Sequence, residues 1–501
     1  MTNPEMIILD LPDEAATLQL GEDLALALRQ GDVVALHGDL GMGKSTLARA
    51  LIRAIAEDDE LEVPSPTFTL VQRYPLRLPV QHFDLYRLSN PEELEELGLA
   101  EALSEGVALV EWPDRAPEYF DGVTHVKLFE VGEGRRVEIS APESALSRIA
   151  HTLEVRKFLD RSGYAGAKRR FMLGDASIRA YETIRTAAGE RLILMDAPAR
   201  SNEPILRDGL TYSDIAKLAQ SVVAFVGIAQ ALRDNGFCAP QILAMDLDAG
   251  LLVIEHLGDG AFLMPDGSVN PTRYQEAGRL LAAMHEREWP RSITVAEGVE
   301  YVVPIYDRAA FEIECALLLD WYIPFTEDRV ATDEERQEFN QLWEPLITRL
   351  LECEQSLALR DYHSPNIIWR EERDGLDRLG VIDVQDAAFG PAAFDVASLA
   401  MDARVDVSPE VERAIVDAYC AARTGAFDRA AFEEAYAITA AQRNTKILGI
   451  FVRLAKRDGK PGYLKHLPRI QDYLRRALAH PSLSDLRAFY ERHGFLGEEA
   501  Q

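Results

Sequence analysis

Two short stretches hold residue types at spacings that suit chemistry on phosphate. The first is Gly38-Asp39-Leu40-Gly41-Met42-Gly43-Lys44-Ser45-Thr46, which fits G-x-x-x-x-G-K-S/T with no mismatch. Glycines such as Gly38, Gly41 and Gly43 let backbone N–H groups close around phosphate oxygens, and a following helix adds its positive end. Lys44 is expected to reach the β- and γ-phosphates of ATP, and the Ser45 hydroxyl to ligate Mg²⁺. Hydrolysis also needs an oriented water. Two carboxylates, Asp84 and Glu111, stand at or near strand ends, where one could serve the metal and one the water.

The second stretch is Leu359-Arg360-Asp361-Tyr362-His363-Ser364-Pro365-Asn366, followed by Leu379-Gly-Val-Ile-Asp383 and Gly390-Pro-Ala-Ala-Phe-Asp395. An Asp followed by an Asn and, after the next strand, by a second Asp is the arrangement kinases use. Asp361 would take the proton of an acceptor hydroxyl, while Asn366 and Asp383 hold Mg²⁺ on the ATP phosphates. His363 reads either as a further functional group or as a buttress for the loop. Upstream, Leu173-Gly174-Asp-Ala-Ser177 forms a glycine turn before a strand, and such a turn can cover ATP phosphates.

The surrounding pattern supplies elements to carry these groups. Val33 to Leu36 reads as a buried strand running into the glycine loop, and Leu47, Ala48, Leu51, Ile52 and Ile55 share one face of the helix after it. Ile7 to Leu9 predicts a strand, and Asp13 to Gln30 a helix with Thr17, Leu20, Leu24 and Leu28 inward. Strands are predicted over Phe68–Tyr74, Val80–Tyr86, Val107–Val110, Thr124–Val131 and Arg136–Ser140, with Glu111 delivered by the third of these. The polar stretch Ala141 to Ile149 marks a domain boundary, with a helix from His151 to Gly163 beyond it. A hairpin ending in Arg191–Met195 follows, then a long helix over Tyr212–Asn235, a strand Leu251–Ile254 and a mainly helical remainder. In that remainder Tyr274–Glu288 turns Ala277, Leu280, Leu281 and Met284 inward.

With 501 residues the chain is too long for one core. No apolar run is long enough to span a bilayer, and Met1 to Asp10 shows no signal peptide, so a cytoplasmic location is expected. Four scattered cysteines, Cys238, Cys315, Cys353 and Cys420, fit neither a metal spacing nor a disulfide framework and read as buried free thiols. Net charge is −30; residues 1–150 hold 12 Lys+Arg against 28 Asp+Glu, a net of −16. Nucleic-acid affinity comes largely from neutralising phosphates, so this acidic part is not expected to hold RNA by itself. Most of the charge reads as solvated surface.

Residues 1–145 resemble the TsaE (YjeE) ATPases. The likeness is carried by Gly38 to Thr46, Ser65-Pro-Thr-Phe-Thr-Leu70, His82-Phe-Asp-Leu-Tyr-Arg87 and Val110-Glu-Trp-Pro113, in that order. The resemblance implies a P-loop ATPase serving threonylcarbamoyladenosine synthesis in tRNA within a protein complex of TsaB and TsaD type, so that tRNA is met only indirectly. It assigns Lys44, Ser45 and Thr46 to phosphate and Mg²⁺, and Asp84 and Glu111 to metal and hydrolysis. Thr67 and Trp112 lie in the motifs, with no role that their chemistry alone suggests.

Residues 150–501, with lobes of about 150–257 and 258–501, resemble the aminoglycoside-phosphotransferase-like kinases. Within these they are similar to the AmgK-type N-acetylmuramate/N-acetylglucosamine kinases of cell-wall recycling. The phrases are Leu173 to Ser177, Met195-Asp-Ala-Pro198, Arg360 to His363 and Val381-Ile-Asp-Val-Gln-Asp386. The resemblance implies an amino-sugar substrate, Asp361 as base, Asn366 and Asp383 as Mg²⁺ ligands, Asp395 as a loop anchor, and Gly174 and Ser177 at the nucleotide. One departure is the strand Arg191–Met195, which lacks the usual phosphate-pairing lysine; Arg179 or Arg185 is the expected substitute. The expected fold is an α/β P-loop NTPase domain followed by an α+β, protein-kinase-like, two-lobed domain. A pseudokinase scaffold, or a single kinase with a nucleotide-sensing P-loop domain, are the alternative readings.

Overall fold

The computed structural model describes residues 6–172, 179–199 and 203–497, which form two compact units, Met1–Asp196 and Ala197–Gln501. The first unit is built on β1 (Ile7–Leu11), α1 (Glu14–Ala27), β2 (Val33–His37), α2 (Lys44–Ala56), β3 (Val71–Tyr74), β4 (Val80–Asp84), α3 (Glu93–Glu96), α4 (Leu99–Glu105), β5 (Val107–Glu111), β6 (Thr124–Val131) and β7 (Gly134–Ser140). Their sheet has the order β1-β7-β6-β2-β5-β4-β3, with β6, β2, β5 and β4 parallel.

Side chains alternate across these strands, so successive residues meet different cores. Val34 and Leu36 of β2, and Val107 and Leu109 of β5, join the core formed with α1 and α2. Val33, Ala108 and Val110 join the opposite core with Phe83 and Leu94. That parity puts Glu111 on the α2 face of the sheet, level with Asp84 on the neighbouring strand β4.

Three predicted strand and linker boundaries shift. Phe68 to Leu70 is not strand: Leu70 takes a left-handed φ of 63° and its N–H bonds Pro66 O. Leu85–Arg87 turns into a 3₁₀ helix capped by the Asp84 carboxylate. The stretch 141–149 is not a linker, because α5 (Glu143–Leu159) starts at once behind Pro142. Beyond it, β8 (Lys168–Met172), β9 (Ala180–Arg185) and β10 (Arg191–Asp196) pair antiparallel within the first unit.

The second unit opens with an irregular stretch where a long helix was predicted. Thr211 caps a single turn, Tyr212–Ile215, and Lys217 takes a left-handed φ of 57°; the helix restarts only at Val222–Asp234. The hairpin Ile242–Asp246/Leu251–Glu255 follows. Helices dominate the remainder around Arg429–Lys456, a 28-residue helix whose middle, Ala435 to Val452, is buried along most of its length. Two small antiparallel pairs interrupt them, Gln355–Ala358 with Ala388–Pro391 and Ile367–Trp369 with Leu379–Val381. Leu359 to Asn366 links the two pairs, and Asp383 lies just after Val381. Among the described residues the cysteines are free, three of them buried and Cys353 partly so. Among the same residues no helix is long and apolar enough to cross a membrane.

Candidate functional sites

In the first unit the chain leaves β2 into the glycine loop, and α2 begins at Lys44. Gly38 has φ +139°, and a Cβ there would press to 2.9 Å from Leu128 O, so the loop's first position accepts only glycine. Lys44 folds back over the loop: Nζ donates to Gly38 O at 2.6 Å and Asp39 O at 2.9 Å, and lies 3.8 Å from the centre of the Trp112 ring. Desolvation lowers its pKa, against the raising fields of Glu111, Asp84 and Asp39. Trp112, at a left-handed φ of 60°, therefore walls the ammonium, a contact its motif did not reveal.

The carboxylates gather as the strand parity requires. Ser45 Oγ donates to Glu111 Oε2 at 2.8 Å, and His82 Nε2 lies 2.9 Å from Glu111 Oε1. Asp84 is fixed by hydroxyls: Thr67 donates to Oδ2 at 2.8 Å and Ser65 at 3.0 Å, while Tyr86 N–H donates to Oδ1 at 3.1 Å. Thr67 thus acquires a function as an anchor of Asp84. Glu111 and Asp84 are 2% and 3% exposed, so both negative charges bear on the phosphate loop with little screening.

In the second unit Asp395 is fully buried and accepts the backbone N–H groups of Leu359 at 2.6 Å and Arg360 at 2.8 Å, which pins the loop before Asp361. Burial pushes its pKa up to about 7, against the lowering effect of those N–H groups. Arg360, at a left-handed φ of 72°, sends its buried guanidinium to Glu314 at 2.7 Å. Glu314 also receives Lys446 at 2.7 Å, Gln442 at 3.2 Å and the Tyr306 hydroxyl. Desolvation alone would raise the Glu314 pKa; Lys446 and Arg360 more than offset it.

Asp361 itself keeps 44% of its side chain exposed. Desolvation raises its pKa, but the fields of His363, Lys446, Arg360 and Arg404 hold it below the ordinary carboxylate value. Asn366 Nδ2 donates to Asp361 O at 3.0 Å, and Ile382 N–H donates to Asn366 O at 3.0 Å, setting Asp383 beside Asn366. Gln385 Nε2 donates to Asp383 Oδ1 at 2.9 Å. His363 is buried, and desolvation with the nearby Arg404 lowers its pKa to about 4. Its neutral Nε2 accepts from Arg404 at 3.2 Å, as a buttress would.

Gly174 and Ser177 lie outside the described residues. Arg185 ends β9 opposite Arg191, with five residues of strand, roughly 16 Å, between it and Ala180.

A third cluster was not foreseen. In the first unit Asp23 of α1, 2% exposed, accepts from Arg156 of α5 at 3.0 Å and Arg169 of β8 at 2.7 Å. Arg169 forks onto Glu182 of β9 at 2.7 and 2.8 Å and donates to Thr152 O at 2.9 Å. Asp23, Arg156 and Arg169, read from sequence as solvated surface, are buried, and Glu182 is partly so.

A glycine loop backed by a hydroxyl–carboxylate pair, and a pinned loop presenting Asp361 beside Asn366 and Asp383, define an ATPase module and a phosphotransferase. Residues 11–137 match the family model described as threonylcarbamoyl adenosine biosynthesis protein TsaE, and residues 169–434 match that of the phosphotransferase enzyme family. The chain belongs to the phosphotransferase enzyme family and carries a TsaE-family domain ahead of it. A relative named N-acetylmuramate/N-acetylglucosamine kinase, from Caulobacter vibrioides, is 36% identical over 351 residues, 67% of this chain and 94% of that protein. A tRNA threonylcarbamoyladenosine biosynthesis protein TsaE from Haemophilus influenzae is 35% identical over 137 residues, 24% of this chain and 85% of that protein. An ethanolamine kinase structure from Plasmodium vivax covers 69% of this chain and 92% of its own at 11% identity and a TM-score of 0.45.

Proposed function

We propose that the chain is bifunctional. Its second part, residues 150–501, transfers the γ-phosphoryl group of ATP to the anomeric hydroxyl of N-acetylmuramate or N-acetylglucosamine. Its first part, residues 1–145, hydrolyses ATP in support of threonylcarbamoyladenosine modification of tRNA. The kinase reading rests on the Asp361 carboxylate, solvent-facing on a loop otherwise pinned by Asp395, with Asn366 and Asp383 at hand. The names of the relatives support the substrates.

Asp361 accepts the hydroxyl proton as the sugar oxygen attacks the γ-phosphorus and the bond to the β–γ bridging oxygen breaks, its electron pair leaving with ADP. A free anomeric hydroxyl is more acidic than an ordinary alcohol, so a carboxylate suffices. His363 holds the loop and takes no proton, since its Nε2 already accepts from Arg404. Among the described residues no three His, Cys, Asp or Glu side chains gather into a metal site of their own. Mg²⁺ favours one or two carboxylates completed by phosphate and water. Asn366 and Asp383 would hold it in the second site and Ser45 with Glu111 in the first, where it neutralises phosphate charge. Asp84, fixed by its hydroxyl donors, orients the attacking water in the first site.

The −16 charge of residues 1–150 supports a division of labour in which proteins of TsaB and TsaD type hold the tRNA, all in the cytoplasm. The test supplies the full chain with ATP and N-acetylmuramate, N-acetylglucosamine, an aminoglycoside and choline, and locates the new phosphate by NMR. Anomeric phosphate on an acetylated amino sugar is expected. No sugar product would leave the second part as a scaffold. For the first part, wild type is expected to restore tRNA modification in cells lacking their own TsaE, and Lys44→Ala is not; equal restoration by both removes the ATPase role.

A further inference from the structure

Arg135 is the second residue of β7, two strands from the glycine loop in the sheet order. Because β6 runs parallel to β2 and β7 returns antiparallel, the first residues of β7 reach the sheet edge where the glycine loop begins. A Cβ built on Gly43 would lie 3.2 Å from Arg135 Nε and 3.3 Å from Cζ. The guanidinium therefore rests against the glycine that precedes Lys44. Its neighbour Arg136 is paired with Asp10 at 2.8 Å, whereas the Arg135 guanidinium makes no hydrogen bond or ion pair with another described residue. An arginine aimed at a phosphate loop and left without a carboxylate has its donors available for phosphate oxygens.

We propose that Arg135 is a catalytic residue of the first site, an arginine finger supplied by the chain itself. This rests on the ATPase reading of that site. As the water oxygen bonds to the γ-phosphorus, the bond from that phosphorus to the β–γ bridging oxygen breaks. Its electron pair passes to ADP, and the water's proton passes to Asp84 and on to solvent. Arg135 exchanges no proton; it donates N–H bonds to the γ-phosphate and bridging oxygens, where negative charge accumulates. Lys44 already covers the loop from the Trp112 side, so the two cations flank the glycine loop.

The test uses the full chain carrying Asp383→Asn, so that nucleotide retained after gel filtration belongs to the first site. ADP, Mg²⁺ and aluminium fluoride mimic the transferring phosphoryl group. The parent should retain the ADP–fluoride complex. Arg135→Ala should lose it while binding ADP alone within about threefold, and should hydrolyse ATP about 10³-fold more slowly, the low end of a finger's effect. Arg135→Lys should recover only part of the rate, because an ammonium cannot fork across two oxygens. Lys44→Ala should lose ADP as well, and its failure to do so would indict the ATPase reading rather than Arg135. Retention of the fluoride complex by Arg135→Ala at the parental level overturns the proposal. So does a parent that cannot form the complex unaided, because the finger must then come from another protein.

Discussion

The Ser45 hydroxyl and the Glu111 carboxylate, 66 residues apart in sequence, meet at 2.8 Å. One belongs to the first turn of α2 and the other ends β5, so the bond fastens the helix that follows the phosphate loop to the sheet. Ser45→Ala and Glu111→Gln should each slow ATP hydrolysis at the first site and raise its Mg²⁺ requirement. The double variant should lose less than the two single losses combined, because both act on one contact. A Mg²⁺ titration of hydrolysis for the three variants checks this; fully additive losses would uncouple the pair.

Asp361→Asn keeps shape but removes basicity. It should cut sugar phosphorylation by about 10²–10⁴ with little change in ATP affinity. Asp383→Asn should instead raise the KM for Mg²⁺-ATP. Steady-state kinetics separates the two, and an Asp361→Asn protein working at full rate refutes the base assignment.

Asp395 and His363 predict opposite pH slopes. Burial raises the Asp395 pKa from an ordinary 3.8 to about 7, so the folded state binds the extra proton and this carboxyl's contribution to stability falls as pH rises from about 4 to 7. His363 drops from 6.5 to about 4, so its contribution is present above about 6.5 and is lost as pH falls from there to 4. Across about pH 4.5 to 6.5 the two offset each other. Asp395→Asn should make stability rise more steeply with pH than in wild type, and His363→Asn should make it fall. Denaturant midpoints at half-unit pH steps provide the measurement.

Arg169→Met should destabilise by about 3–5 kcal/mol, because Asp23 would keep a buried charge and Glu182 a partly buried one without this partner. Asp23→Asn in the same chain should return part of that loss. Melting curves of the three proteins decide it; a neutral Arg169→Met would mean that water enters the cluster freely.

The groups legible in the sequence are those whose chemistry is local. Lys44 and Ser45 sit inside one motif, and Asp361, Asn366 and Asp383 lie on one loop and the strand pair after it. Strand parity explains why Glu111 could be read at all: Val107 to Val110 announce a buried strand, and the next residue must emerge at its end. Arg135 was silent because only the sheet order brings β7 beside the glycine loop. The Asp23–Arg169 contact spans 146 residues, and Arg360 meets Glu314 across 46, so no spacing rule distinguishes them from surface charges. The break at Lys217 was hidden because apolar residues on both sides continue a helical rhythm that a left-handed residue interrupts.

The unbroken course of α5 through the expected linker bears on how such a fusion is inherited. From Glu143 onward it carries Arg148 to Asp32 at 2.5 Å and Arg156 to Asp23, while β8 brings Arg169 to the same carboxylate. A gene shortened to its kinase portion would encode arginines whose counter-charge is gone, and one shortened to its ATPase portion would strand Asp23. Severing the chain near residue 145 should therefore cost stability around Asp23, whichever of the two reactions is assayed.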